Sequence, residues 1–305
     1  MRRTLFLVSL VFLSIPVLAK KEPARPRILG IARVQIFVTD LAETRSFYTK
    51  ALGQAHDCNW CEQVPGRSFL INNFQEISLS PASSPVASNL IEEITFATDD
   101  VPKLRRYLLA HNIAVSGPQE KDKAAGPFIS VVDPEGHRIS FIQSLGVTVL
   151  KPGYPPDSPP PSYLHLIHAG FVVSDRAAED KFYKDVLGFH VYWHGGMKDD
   201  ETNWVDMQVP DGTDWIEYML NVPANADHHT LGVMNHIALG VPDIQAAEEQ
   251  LLKNGWKPGE KPKIGRDGKW QLNLYDPDDT RVELMEFTPV QKPCCSEYTG
   301  PHPKP

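Results

Sequence analysis

Two histidines recur at equivalent places in two similar segments of the chain. His168, in HAGFVVSD, stands seven residues before Asp175, and His236, in HIALGVPD, stands seven residues before Asp243. Each segment has the alternating pattern of a short strand that ends in a turn. A lone histidine near the start of a strand usually has a structural role, whereas a repeated one favours a shared function. The spacing therefore predicts that two equivalent strands present their imidazoles to a single metal ion.

Two glutamates in apolar strands complete this candidate site. Glu217 lies in DWIEYML, and Glu283 lies in TRVELMEF. A carboxylate in an apolar strand is costly unless a cation compensates its charge, although either glutamate alone could lie on a solvated face. With His168 and His236 they predict a site for one divalent ion, with Zn, Ni, Mn, Co and Fe all suitable. Such an ion could polarise a carbonyl and stabilise an enediolate, while a ligated glutamate moves a proton.

The elements that must position these residues form an internal repeat. Asp40 and Asp175 are each followed after seven residues by a Phe-Tyr pair and after thirteen by a glycine. The same interval of 33 residues separates Asp100 from Asp133 and Asp243 from Asp276. Asp100 follows Asp40 by 60 residues, whereas Asp243 follows Asp175 by 68, and we place the eight additional residues around 195–203. Four strand–helix–strands units, paired two and two, therefore account for residues 29–289 and predict an α+β fold.

The amino-terminal residues have the order of a secretory signal peptide. Two arginines precede the apolar run 5–18, and Val17-Leu18-Ala19 offers a cleavage site, so we predict a leader over 1–19. The apolar run is shorter than the roughly 20 residues of a spanning helix. We therefore expect an exported protein, periplasmic or secreted, that is not embedded in a membrane after cleavage.

The composition of residues 20–305 indicates five segments. Residues 20–28 form a charged lead-in, 29–147 a first domain, 164–289 a second domain, and 290–305 a proline-rich tail that we expect to be poorly ordered. The intervening segment 148–163 contains KPGYPPDSPPPS and reads as a semi-extended linker.

The first domain lacks an equivalent set of metal ligands. Arg33, Glu93 and Ser140 stand at the positions of the two histidines and of Glu283, and Glu76 roughly matches Glu217. We therefore predict a metal-free partner domain that packs, dimerises or shapes access to the second.

Charge and cysteine content limit the classes of partner. The formal charge is −8, which becomes −10 when the two arginines of the leader are removed, and no basic stripe is present. This argues against nucleic acids and anionic membrane surfaces, and leaves a small-molecule substrate as the expected partner. Cys58 and Cys61, in CNWC, could close a small structural disulfide, and Cys294 and Cys295 are adjacent.

Four segments together resemble the vicinal oxygen chelate superfamily, which includes glyoxalase I, bleomycin- and fosfomycin-resistance proteins and extradiol dioxygenases. The segments are FYTKALG (47–53), FYKDVLGF (182–189), NHIALGVPD (235–243) and YDPDDTRVELMEF (275–287). The resemblance implies two tandem domains of paired βαβββ units whose curved sheets enclose the metal. By position it implies that His168, Glu217, His236 and Glu283 match the ligands of glyoxalase I, with Glu283 in the place of the catalytic base.

The resemblance leaves three functions open. Extradiol dioxygenases also have four units with the metal in the second pair, but their tyrosine before the Asp-Pro turn is Asn273 here, and residues 263–270 contain no histidine. A fourth ligand, Glu217, also differs from the two-histidine, one-carboxylate iron site. We therefore expect an exported glyoxalase I-like lyase or isomerase (lactoylglutathione lyase-like) acting on a small oxygen-chelating substrate. The alternatives are an extradiol-type ring-cleavage dioxygenase and a non-catalytic binding protein of the resistance type. Four aromatic residues are candidates for either the pocket wall or the core: Trp193, Trp204, Trp215 and Tyr218.

Overall fold

The computed structural model describes residues 23–50, 52, 68–72, 74–82, 90–117, 128–143, 165–257 and 259–305. The predicted leader, the linker 148–163, and the cysteines Cys58 and Cys61 lie outside the described residues. Within the described ranges, no helix is long and apolar enough to cross a membrane.

The first half of the chain forms a six-stranded sheet with two helices over its described residues. The elements are β1 (Ile28–Val38), α1 (Leu41–Lys50), β2 (Ser68–Leu70), β3 (Glu76–Pro81), β4 (Ile91–Thr98), α2 (Val101–Ala110), β5 (Phe128–Val132) and β6 (Arg138–Gln143). The strand order is β2-β3-β1-β4-β6-β5. The first strands of the two units, β1 and β4, are antiparallel neighbours, and each is parallel to the last strand of its own unit.

The second half repeats this arrangement in an eight-stranded sheet. The elements are β7 (His165–Val172), α3 (Arg176–Asp180), which continues into a π-helical turn over Lys181–Val186, β8 (His190–Gly195), β9 (Trp204–Gln208), β10 (Trp215–Met219), α4 (His228–Met234), β11 (His236–Val241), α5 (Ile244–Lys253), β12 (Lys263–Ile264), β13 (Trp270–Tyr275) and β14 (Arg281–Glu286). The strand order is β12-β13-β14-β11-β7-β10-β9-β8. Here β7 and β11 are the antiparallel pair, flanked by their parallel partners β10 and β14. Two tandem domains of paired units are therefore present, as the repeat predicts.

Four of the recurring aspartates are helix caps, which explains their place in each repeat. Asp100 accepts a hydrogen bond from the backbone N–H of Lys103 at the start of α2, and Asp243 caps α5 in the same way. Asp40 and Asp175 do so for α1 and α3. A side-chain acceptor at this place satisfies an amide that the helix itself leaves unpaired.

The two halves hold each other through equivalent turns. Glu135, in the β5–β6 turn of the first half, accepts hydrogen bonds from the backbone N–H groups of Ser174 and Asp175, just before α3. Asp278, in the β13–β14 turn of the second half, accepts from the N–H and hydroxyl of Thr39, just before α1. Each domain therefore fixes the start of a helix in the other.

The tail, residues 290–305, packs against the second sheet and is not loosely attached as its prolines led us to expect. The hydroxyl of Tyr298 donates to the carbonyl of Asp267 at 2.8 Å, and its ring lies 4.7 Å from the ring of Tyr192. The N–H of Thr299 donates to the carbonyl of Tyr192 at 3.0 Å. These aromatic and backbone contacts outweigh the proline content of the segment.

Candidate metal centre

The four predicted ligands meet at the centre of the second sheet. His168 projects from β7 and His236 from its antiparallel neighbour β11. Glu217 comes from β10 and Glu283 from β14, the strands on either side. The side chains of His168, His236 and Glu283 are buried, and Glu217 is only slightly more exposed. The structure therefore brings all four residues together.

Their donor atoms are close enough to share one ion. The two Nε2 atoms of His168 and His236 lie 3.0 Å apart, and His236 Nε2 lies 2.9 Å from Glu217 Oε2. His168 Nε2 is 3.6 Å from Glu217 Oε2 and 3.7 Å from Glu283 Oε2, and His236 Nε2 is 4.0 Å from the same Glu283 oxygen. The tightest group is His168, Glu217 and His236, whose ligand atoms all lie within 4.8 Å of one another.

These separations fit a divalent cation. Donors bound at about 2.1 Å lie about 3.0 Å apart when adjacent on an octahedral ion and about 4.2 Å apart when opposite. The observed separations of 2.9 to 4.0 Å lie close to that range. Two buried imidazole nitrogens and two buried carboxylates also match the preferences of Zn, Ni, Mn, Co and Fe.

Both imidazoles are held in the form that binds metal. Burial lowers the pKa of His168 well below its ordinary value, and the neighbouring His236, Arg281 and Lys269 add to the effect. Burial and Arg281 likewise lower the pKa of His236, so both rings are neutral despite the nearby carboxylates. His236 Nδ1 lies 3.1 Å from the carbonyl of Met234, and donation there leaves the Nε2 lone pair facing the site.

A bound cation would stabilise the ionised form of the two carboxyl groups. Burial raises the pKa of Glu217 to about 7, although Arg281 and Lys269 oppose the shift. Burial also raises the pKa of Glu283 to about 7, with Glu217 adding to the shift. Nearby positive charge favours the ionised form of a buried acid, so a bound divalent ion would reverse both shifts.

A glycine makes room for one imidazole. In the strand register Gly170 pairs with both His236 and Glu217, whereas Ala238 pairs with both His168 and Glu283. A Cβ atom added at Gly170 would lie 2.0 Å from His236 Cε1. The ring of His236 therefore occupies the space that any larger residue at position 170 would need.

Three of the four predicted ligands, His168, Glu217 and Glu283, line a cavity of about 660 Å³. Trp193, Trp204 and Trp215 line it, as expected for a pocket wall. Tyr218 does not; its ring packs in the core, 6.2 Å from Phe171. Because neighbouring residues of a strand face opposite sides, Trp215 and Glu217 share a face and Tyr218 cannot.

Two of the charged cavity residues that the sequence did not predict lie in register with the ligands. Asp206 on β9 pairs in register with Glu217, and burial followed by Glu217 raises the pKa of its carboxyl group well above the ordinary value. Arg281 on β14 pairs in register with His236. Both line the cavity, and the signal for Arg281 was its position two residues before Glu283, on the same strand face.

The tail contributes to the cavity wall. Cys294 and Cys295 form a disulfide, and Cys294 lines the cavity. The indole N–H of Trp193 donates to the carbonyl of Cys294 at 3.2 Å, which joins the tail to β8.

In the first domain an arginine occupies the equivalent place. Arg33 Nη1 lies 3.5 Å from Glu76 Oε1, and Arg33 Nη2 lies 3.1 Å from Glu93 Oε1. In the strand register Ser78, not Glu76, stands at the position of Glu217, and Ser140 stands at that of Glu283. The first domain thus has an ion-pair group and two serines where the second has metal donors.

Comparison with known families places this fold. The family model described as glyoxalase/bleomycin resistance protein/dioxygenase superfamily matches residues 30–141 and 165–284. The chain belongs to this superfamily. No curated protein sequence matches the chain.

Among the solved structures that share this fold are several 2,3-dioxygenases. The 2,3-dioxygenase LapB from Pseudomonas sp. KL28 aligns with a TM-score of 0.61 and 17% identity, covering 92% of this chain and 96% of its own. Homoprotocatechuate 2,3-dioxygenase from Arthrobacter globiformis aligns with a TM-score of 0.62 and 18% identity, covering 88% of this chain and 82% of its own. A variant of homoprotocatechuate 2,3-dioxygenase from Brevibacterium fuscum aligns with a TM-score of 0.61 and 21% identity, covering 87% of this chain and 73% of its own. At such identities the likeness shows the fold alone.

Proposed function

We propose that this member of the superfamily is a metal-dependent enzyme for a small substrate that chelates the ion through two oxygens, and that it is a lyase or isomerase of the glyoxalase type. The observation that carries this proposal is the fourth donor, Glu217, which lies 2.9 Å from His236 Nε2. Two carboxylates placed in matching strands give the site one more acid than the two-histidine, one-carboxylate iron site needs.

The residues of the site have different roles in this proposal. His168, His236, Glu217 and Glu283 would hold the ion, which when bound would polarise a substrate carbonyl and stabilise an enediolate. Glu283 accepts the proton from the carbon next to that carbonyl at a carboxylate oxygen and returns it to the neighbouring carbon. The three tryptophans of the wall exclude water from the reacting carbons.

Ring cleavage is the second candidate, favoured by the dioxygenases that share this two-domain architecture over most of the chain. The local residues favour it less. Asn273 pairs in register with Glu283, and its side-chain N–H donates to Glu260 at 3.2 Å. An amide at this place offers no phenol to a bound catechol. A non-catalytic binding protein of the resistance type is the third candidate.

Metal content and turnover on two substrate classes test these candidates together. Purified protein is analysed for Zn, Ni, Mn, Co and Fe, then assayed with 2-oxoaldehydes, with and without a thiol, and with catechols under oxygen. One equivalent of metal with 2-oxoaldehyde isomerisation supports the proposal. Ferrous iron with oxygen uptake on catechols replaces it with the dioxygenase, and protein without bound metal or turnover leaves a binding module.

Export belongs to the proposal through the leader at 1–19. Protein secreted or recovered from the periplasm should begin at Lys20 on amino-terminal sequencing. Full-length protein retained in the cytoplasm would contradict it. A homodimer stays a prediction, which sedimentation of the mature protein can test.

A further inference from the structure

Arg281 is a cation placed among the metal donors without a carboxylate partner. It lines the cavity, pairs in register with His236, and lies on the same strand face as Glu283, two residues away. Its Nε atom is buried and has no hydrogen-bond partner. Leaving a buried donor of a charged group unpaired is costly, which is unusual unless a ligand completes the site.

The buried Lys269 does not line the cavity, and its Nζ lies over the Trp215 ring at 4.6 Å. The other basic residues that do line the cavity are already paired. The pairs are Lys263 with Glu260 at 2.8 Å, Arg266 with Asp199, and Lys292 with Glu297 at 3.3 Å. Arg281 has no acidic oxygen within 4.0 Å among the residues that the structure describes. It is therefore the cavity cation that remains available to an incoming anion.

The pseudo-symmetry of the sheet gives the cavity two different sides. Arg281 stands two residues before Glu283, and Trp215 stands two residues before Glu217 at the matching place. The Trp215 ring lies 4.9 Å from the His168 ring. One flank of the donor group is thus cationic and the other is aromatic.

We propose that Arg281 binds a carboxylate on the substrate, so that the enzyme acts on carboxylate-bearing chelators whose apolar part lies toward Trp215. This inference rests on the proposed function and adds the substrate class. A planar guanidinium with free N–H groups is suited to a carboxylate. A single negative charge fits better than a phosphate dianion, because five acids line the same cavity: Asp199, Asp206, Glu217, Asp267 and Glu283.

The test compares charged and neutral chelators on the zinc-loaded full-length protein. Anaerobic calorimetric titrations use 3,4-dihydroxybenzoate and 3,4-dihydroxyphenylacetate, each against its methyl ester, so that two carboxylate reaches are sampled. Wild-type protein should bind at least one acid tenfold or more tightly than its ester. Arg281→Gln should lose that preference while its ester affinity and zinc stoichiometry stay within twofold, and Arg281→Lys should keep part of it. Lys292→Gln removes an equal charge from the cavity rim and should keep it all.

Three results would overturn the inference. The first is that the wild type binds neither acid more tightly than its ester. The second is an undiminished preference for the acid in Arg281→Gln. The third is an equal loss of acid and ester affinity in Arg281→Gln, which would make Arg281 a support for the metal site. Binding is measured without turnover, so a clear acid preference in a protein that isomerises nothing would refute the proposed function alone.

Discussion

Gly170 and His236 show how a single missing side chain makes the metal site. The two central strands are related by near two-fold symmetry, yet Gly170 faces a ring that a Cβ would meet at 2.0 Å, whereas Ala238 at the matching place is tolerated. Gly170→Ala should therefore displace His236 and lower zinc affinity by about tenfold or more, the effect expected when a ligand is disturbed. Competitive titration with a chromophoric chelator measures it. Gly259→Ala is the control, because a Cβ there meets nothing within 4 Å; unchanged affinity in Gly170→Ala would contradict the steric argument.

Glu283 and Glu217 can be separated by their effects on turnover and on metal content. Glu283→Gln should lower kcat by about 10²- to 10⁴-fold, the usual contribution of a positioned base. Glu217→Gln should mainly weaken metal binding, so that turnover returns at saturating metal. Metal stoichiometry and kcat are measured over a metal titration. Full activity in Glu283→Gln would remove that carboxylate from the mechanism, and Glu76→Gln in the first domain should leave metal content unchanged.

At the scale of elements, the aspartate spacing predicted the helices and the pairing of units because four of the aspartates are helix caps, while Asp133 and Asp276 accept backbone N–H groups in equivalent turns. The strands between them were harder to align. The register puts Ser78 at the place of Glu217, so four of the eight additional residues precede β10 and four follow it, in the segment that contains α4. Placing all eight around 195–203 aligns Glu217 with Phe74, so that Glu76 is only a rough match. Spacing across loops of unequal length cannot fix a register; hydrogen bonding between strands does.

The ion-pair group of the first domain gives a prediction about β1, β3 and β4. Arg33 lies between Glu76 and the buried Glu93, so Arg33→Met should leave the Glu93 carboxylate without its closest cation. Because Arg33 is partly exposed, we expect a loss of about 1–3 kcal/mol in unfolding free energy, which urea denaturation measures. Adding Glu93→Gln should recover part of that loss. Metal content should not change, and a fall in metal content would mean that the first domain supports the site.

At the scale of the whole molecule, the sequence predicted two domains and four ligands but not how the halves meet. Glu135 and Asp278 each accept a backbone N–H just before a helix of the other domain. The proline-rich composition of the tail predicts poor order, yet the tail forms part of the cavity wall. Such contacts join residues far apart in sequence and leave no periodic signal, so they could not be predicted from spacing.

Glu179 makes the same interface sensitive to pH. It is fully buried in α3, and burial, followed by the nearby Asp133, raises its pKa to about 8 from an ordinary value of 4.5. Between these two values the folded protein holds a proton that the unfolded chain has released, so this group makes stability fall as pH rises, by at most about 1.4 kcal/mol per pH unit for one proton. Glu179→Gln should remove that slope and raise stability at pH 8 and above, while its amide oxygen still accepts the N–H of Glu135.

Urea unfolding of wild type and Glu179→Gln at pH 6, 7, 8 and 9 measures the difference in slope. Other buried acids, such as Asp276, titrate equally in both proteins and cancel in that difference. Glu249→Gln is the matched control, because its exposed side chain should keep the wild-type slope. Parallel curves of unfolding free energy against pH for Glu179→Gln and wild type would mean that the Glu179 carboxyl group is ionised in the folded protein. Contacts other than those with Asp133 and Glu135 would then have to compensate its charge.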